Sequence, residues 1–203
     1  MVGHIRQVTR MARPSKRQQI ADAAVEHFHS HGYNATGIGD IAAAAGAPKG
    51  SFYNHYASKT QAAMEAVSRY AESLPLDVLS TPGRSPLGRL RTHFELMGQE
   101  TIRGGYSRGC MVGNFGAEIA DHSDEIRSVL KEGVERWTEL VRQVLGQAQE
   151  AGELDPELDA LTLAHSILSA WEGTLIMARI TKSATSFDAF YSTTFDVLLR
   201  RPR

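Results

Sequence analysis

The chain is 203 residues long, 42 % apolar, and carries a formal net charge of -1, so it can bury a core as one large domain or two small ones. Its single cysteine, Cys110, excludes an intrachain disulfide and suits a reducing cytoplasm. The longest uncharged, mostly apolar run, Ala160 to Trp171, is shorter than the about 20 residues a bilayer takes, and the basic start lacks the apolar stretch of a secretory signal. A cytoplasmic protein with no membrane role is expected.

Charge is unevenly spread. Residues 1–60 hold seven Lys and Arg against three Asp and Glu, and five of the eight histidines. The remainder is acidic, so an anionic partner is expected for the N-terminal part alone. Periodic segments read at helical spacing and none alternates like a strand, so the fold class is all-α. Residues 1–14 read as a basic, flexible arm, and the stretch Arg6 to Arg17 is placed to reach a minor groove. Ser15 to His31 is the first expected helix, with Ile20, Ala24 and Phe28 on one face and Gly32 as its stop. Gly37 to Ala45 is a short second helix, with Thr36 as N-cap and Asp40 in its first turn. Gly46 ends it, and Pro48 opens a third helix that ends near Tyr56. Ser58 opens a fourth, where S-K-T-Q has capping-box form with Gln61 at the third helical position.

These elements make one unit over residues 15–74. The Pro-, Gly- and Ser-rich stretch Pro75 to Pro86 is the boundary to a second unit over residues 75–203. Its expected helices are Leu87 to Arg103, Cys110 to Ala120, Ser123 to Glu150, Pro156 to Ile180 and Ser186 to Arg200. The last two are apolar nearly all round. That is more apolar surface than one such domain covers, so a second copy is expected to pack on them as a four-helix bundle. The alternative is that both pack only on their own domain.

The stretch APKGSFYNHYASK, Ala47 to Lys59, has two faces. Phe52 and Tyr56 are four apart and share a helical face, as core residues do. The other side offers Lys49, Ser51, Tyr53, Asn54 and His55, whose side chains hydrogen-bond to phosphates or base edges. Gly50 lets a backbone approach closely. A short helix, a glycine turn and a second short helix form a helix-turn-helix, whose second helix enters the major groove.

The longer segment GYNATGIGDIAAAAGAPKGSFYNHYASK, Gly32 to Lys59, resembles the signature of the tetracycline-repressor family of bacterial transcription regulators. The resemblance implies a three-helix DNA-binding head on a larger helical body for ligand binding and dimerisation. It implies a homodimer joined through the last two helices, a palindromic double-stranded DNA operator, and a repressor released by a small-molecule effector, apolar or electrophilic. By position, Lys49, Gly50 and Ser51 would open the recognition helix, with Lys49 reading bases. Tyr53 and His55 would meet phosphate or sugar, Thr36 would bind phosphate at the second helix's N-terminus, and Lys59 at the start of the fourth. Gly37 stands where the family usually has Ser or Thr.

The C-terminal segment YSRGCMVGNFGAEIADHSDEIR resembles the N-ethylmaleimide-reductase repressor branch of that family, which responds to electrophiles through a cysteine; the matching positions are Gly109, Cys110, Glu118, Asp121, Ser123 and Arg127. Arg179 stands where the electrophile sensor has a lysine. Cys110 at a helix N-terminus would have a lowered thiol pKa and act as a thiol sensor. The competing reading makes it a small buried hydrophobe. Ligand-pocket candidates are His93, Phe94, Met97, Cys110, Met111, Phe115, Trp137, His165, Trp171 and Met177, each of which taken singly reads as core before ligand contact. Two clusters, His27–His29–His31 and Glu118–Asp121–His122, read as capped helix ends rather than metal sites. No cofactor is expected. An enzyme built on Cys110 would need a histidine such as His93, His122 or His165 and a nucleophile motif, which is missing, so no enzymatic activity is expected.

Overall fold

The computed structural model describes residues 14–200. α1 runs Lys16–Ala35, and the Ser15 hydroxyl accepts the Gln18 amide at 3.1 Å to start it. Gly32 interrupts α1 at φ +81°, and a Cβ there would run into the Glu118 carboxylate. The expected stop is therefore a kink, beyond which the chain continues to Ala35.

α2, Ile38–Ala44, is capped by Gly37 and not by Thr36: the Gly37 amide donates to Asp40 Oδ2 at 3.1 Å. Thr36 is buried, with its hydroxyl donating to Gly32 O at 2.7 Å and His27 O at 3.1 Å. The end of α1 leaves carbonyls in need of donors, and Thr36 supplies one. Lys16 Nζ closes the other end of α2 by donating to Ala45 O at 3.0 Å and Gly46 O at 3.3 Å. Lys16 thus belongs to the folded head, as does Arg17, which pairs with Glu65 at 2.8 Å. In the basic stretch expected to reach DNA these two side chains have partners within the fold, and its residues 6–13 lie outside the described residues.

α3, Lys49–Tyr53, is shorter than expected and follows a turn in which Gly46 has φ +60°. α4, Lys59–Ser73, starts with the Ser58 hydroxyl accepting the Gln61 amide. The reciprocal bond goes one residue further back, from the Ala57 amide to Gln61 Oε1 at 2.7 Å. The Pro75–Pro86 stretch is not an open linker. It carries a 3-10 turn, Leu76–Ser80, whose Leu79 is buried in the body.

The body comprises α5 (Pro86–Arg103), α6 (Met111–Glu118), α7 (Asp124–Glu150), α8 (Ala160–Thr181) and α9 (Thr185–Tyr191), which continues as a π-helical turn, Ser192–Leu198. α8 starts later than expected because Asp159, not Pro156, caps it: Oδ1 accepts the Thr162 amide at 2.7 Å. No strand occurs among the described residues.

Two apolar cores hold the chain together. One lies in the body, around Phe94, Leu145, Ile167, Trp171 and Phe187. The other lies in the head, around Ile20, Phe28, Ile41, Phe52 and Val67, and body helices complete it: Met111 and Phe115 of α6 and Ile126 and Leu130 of α7 are part of it. The Phe115 ring meets Phe28 edge-on at 5.7 Å and Tyr33 at 5.8 Å. Burying such a ring contributes about 2–3 kcal/mol. The head is therefore seated on α6 and α7 by its own core residues.

Candidate nucleic-acid interface and ligand cavity

Along α3 and the turn that follows, the periodicity separates a buried side from an exposed one, as expected. Phe52 and Tyr56 are buried, their ring centroids 5.3 Å apart. Lys49, Gly50, Tyr53 and Asn54 are exposed, while Ser51 and His55 are half-buried. Among the described residues, the side chains of Lys49, Ser51, Asn54 and His55 make no hydrogen bond, and the Tyr53 ring rests edge-on against Phe52 at 5.6 Å with its hydroxyl free. Donors and acceptors held on a rigid helix without protein partners are available to phosphates and base edges. Lys59 is different. It is half-buried, its ammonium lies 4.3 Å from the Tyr33 ring centroid, and burial pulls its pKa down against the pull of Glu118. Thr36, expected to touch phosphate, points inward and has no hydroxyl to offer, because the kink at Gly32 uses it.

A cavity of about 890 Å³ opens between head and body. α1 supplies Val25, Glu26 and His29 to its wall, and α4 with its C-cap supplies Tyr70, Ser73 and Leu74. Body residues Met97, Cys110, Trp137 and Trp171 form the opposite side. Trp137 is fixed from behind. Its Nε1–H donates to His93 Nε2 at 3.0 Å, and His93 Nδ1 meets Pro75 O at 2.9 Å. The carbonyl can only accept, so His93 is neutral with its proton on Nδ1. Burial holds its pKa down to about 4. His29 follows the same logic. Its Nε2 donates to Gly109 O at 2.9 Å, and burial lowers its pKa. Burial together with the Glu172 carboxyl pushes the Cys110 thiol up to about 12. The helix N-terminus does not lower this thiol, because desolvation outweighs the dipole.

Two family models match the chain. That of the bacterial regulatory proteins of the tetR family covers residues 20–63, and that of the tetracyclin repressor-like C-terminal domain covers residues 86–194. The chain belongs to the tetR family. This tetR-family regulator is 31 % identical over 192 residues, 93 % of its length and 95 % of the relative's, to the HTH-type transcriptional repressor DhaR of Mycobacterium sp. strain GP1. It is 24 % identical over 156 residues, 75 % of its length and 78 % of the relative's, to the repressor NemR of Escherichia coli K12. Its fold matches the crystal structure of regulatory protein TetR from Rhodobacter sphaeroides with a TM-score of 0.83 and 30 % identity, covering 88 % of this chain and 96 % of that one. It is accordingly a DNA-binding transcription regulator, with a helix-turn-helix head and a ligand-binding body, from a regulatory rather than an enzymatic family.

The cavity of this tetR-family protein takes only part of the expected ligand set. Met97, Cys110, Trp137 and Trp171 line it. His93 and Phe94 are buried one layer behind, Phe94 against Trp171 at 5.1 Å. Met111 and Phe115 belong to the head core instead, because α6 turns that face toward α1. His165 and Met177 lie exposed on the outer face of α8. Tyr70 and His29 were missed by sequence reasoning. Tyr70 extends the buried stripe Ala63–Ala66–Val67 of α4, which was the available signal. His29 read as one of three alternating histidines, and only its neighbours His27 and His31 stack, at 5.4 Å. Among the described residues no group of three or more His, Cys, Asp or Glu could hold a metal ion. Glu118 has a different occupation, accepting the Asn34 amide at 2.9 Å.

Proposed function

We propose that the protein is a homodimeric repressor that leaves a palindromic operator when a small molecule fills the cavity between head and body. The observation that carries this reading is the shared wall: the helices that anchor α3 also line the cavity. α1 and α4 carry Ile20, Phe28 and Val67 into the head core, and Glu26, His29 and Tyr70 into the cavity. A ligand that moves α1 or α4 against the body must move the reading helix.

On DNA, Lys49, Gly50 and Ser51 lead α3 into the major groove. Tyr53, Asn54 and His55 meet the backbone or base edges, and Lys59 meets phosphate from the start of α4. Thr36 is left out of this set. Two copies with heads about 34–36 Å apart would span successive major grooves. The dimer forms through α8 and the α9 segment. Leu161, Ile176, Met177 and Ile180 on α8 and Val197 after α9 are exposed in the single chain, Ile180 and Val197 at 70 % and 73 %. A stripe of that size is apolar surface in search of cover. The protein acts in the cytoplasm, where its operator is.

A thiol sensor reading through Cys110 has no support from the geometry, since the reactive form is the thiolate and this thiol is buried and held protonated. The test is fluorescence anisotropy of the protein on duplexes from its own upstream region against scrambled duplexes at equal salt. Sequence-selective binding by a dimer supports the proposal. Equal binding to both duplexes at every salt concentration would make it an architectural DNA-binding protein.

A further inference from the structure

We infer that the cavity between α1, α4 and the body is built for an uncharged aromatic molecule carrying one hydrogen-bonding polar group, and that it rejects the ionised forms of the same skeleton. The inference rests on the reading of this cavity as the effector site and narrows that effector to one chemical class.

The walls set the aromatic part. Both tryptophans of the chain, Trp137 and Trp171, face the cavity. A volume of about 890 Å³ is in the range that small-molecule sites occupy. The rings are fixed before any ligand arrives. Phe94 packs on Trp171 at 5.1 Å and on Trp137 at 6.2 Å, and Phe190 packs on Trp171 at 5.2 Å. The Trp137 N–H is already engaged by His93, so this indole presents an apolar face rather than a donor. Wall rings fixed before binding favour flat π-systems and lower the ordering cost of binding.

The charges set the neutrality. Four ionised side chains reach the cavity, and they pair off at its rim: Arg108 with Glu26 at 2.5 Å and Arg103 with Glu100 at 2.6 Å. An ionised ligand would give up its hydration and find no unmatched counter-charge in these pairs. The inner polar groups are Tyr70, Cys110 and His29, which offer hydrogen bonds without charge. Burial pushes Tyr70 and Cys110 up and His29 down, so all three are neutral near pH 7. Behind Cys110 stands Glu172, whose own pKa burial raises toward the uncharged form, so it offers an anion no counter-charge and a cation only a weakened one. A carbonyl or hydroxyl on the ligand matches these partners; a carboxylate or an ammonium does not.

The test uses three probes on one skeleton: 4-methoxybenzamide, 4-methoxybenzoate and 4-methoxybenzylammonium, titrated at pH 7.5 into the full-length protein. Both tryptophans report, so binding is read by fluorescence excited at 295 nm and checked by calorimetry. The amide is expected to bind at least about tenfold tighter than either ion, a difference of about 1.4 kcal/mol. Tyr70→Phe should weaken the amide about three- to tenfold. Equal or tighter binding of the benzoate or the ammonium, or no binding of the amide at 10 mM, would overturn the inference. Amide preference with operator binding unchanged would uphold the ligand class and sink the effector reading. Operator release by the benzoate, without amide preference, would do the reverse.

Discussion

The exposed face of α3 and the wall of the cavity are built from similar residue types and prepared in opposite ways. Along α3 and the turn after it, Lys49, Ser51, Asn54 and His55 have no side-chain hydrogen-bond partner among the described residues and lie in or near water. In the cavity, Glu26 and Glu100 are paired with arginines, and Tyr70, Cys110 and His29 are pushed toward their uncharged forms. An unpaired donor suits a polyanion that arrives with its own charges and releases counterions. A paired and neutral wall suits a ligand that brings apolar area. Under the proposed function, recognition of DNA and recognition of a small molecule are thus separated by what the fold has already satisfied, even though α1 and α4 would serve both.

The largest expected effect concerns Cys110, whose reactivity would break this contrast if it were high. With its pKa raised to about 12, the folded chain holds about a thousandfold less thiolate at pH 7.5 than an unperturbed cysteine. Labelling by a disulfide reagent should therefore be slower by about that factor in the native protein than in the denatured chain. Comparable rates in the two states would place this thiol in a reactive site and reopen the sensor reading.

The next effect tests how firmly the cavity wall stays neutral. His93 is held at about 4 from an ordinary value of 6.5. Between these values the unfolded chain takes up a proton that the folded chain refuses, so stability falls as pH drops through this window and is fully present above it. The shift amounts to about 3 kcal/mol lost between pH 6.5 and 4. Denaturant unfolding at several pH values should show the slope, and His93→Gln should flatten it, even where it lowers stability overall. An unchanged slope in the variant would mean that His93 is charged in the folded protein and that Trp137 is not held as described.

A smaller effect sharpens the DNA side. Lys49→Ala should cost about 1–3 kcal/mol on the operator and much less on a scrambled duplex, so the ratio between the two collapses. Loss of equal size on both duplexes would reduce Lys49 to a phosphate contact and shift base reading to Ser51 or Asn54.

The contrast also decided what could be read from sequence. The α3 face is local: Phe52 and Tyr56 differ by four residues, and Lys49, Tyr53 and Asn54 fall between and beside them, so periodicity alone separates anchor from reader. The cavity is assembled from α1, α4, α5, α7 and α8, and no spacing rule connects His29, Tyr70 and Trp137. Apolar candidates such as Met111 and Phe115 carried no mark of which core they would join. The direction of α6, which sends Phe115 toward Phe28 and leaves Cys110 toward the cavity, decided it. Thr36 misled for a related reason. Its position before a helix suggested a cap, but the kink at Gly32 needed a donor more than α2 needed an acceptor, and Asp40 already served the Gly37 amide.

Lys59 sits between the two preparations and gives the finest test of them. Its ammonium touches the Tyr33 ring, a contact worth about 0.5–1 kcal/mol at a partly exposed site, yet it is only half-buried and makes no ion pair among the described residues. If the charge still reaches a phosphate, Lys59→Ala should weaken operator and scrambled duplex alike and reduce the salt slope of binding by about one unit. If the Tyr33 ring and the nearby Glu118 hold it, the same variant should leave the salt slope alone and lower the melting temperature instead, because the loss then falls on the joint between head and body. The two outcomes are exclusive in the slope. The slope therefore states whether the reading surface ends at α3 or continues onto the helix that lines the cavity.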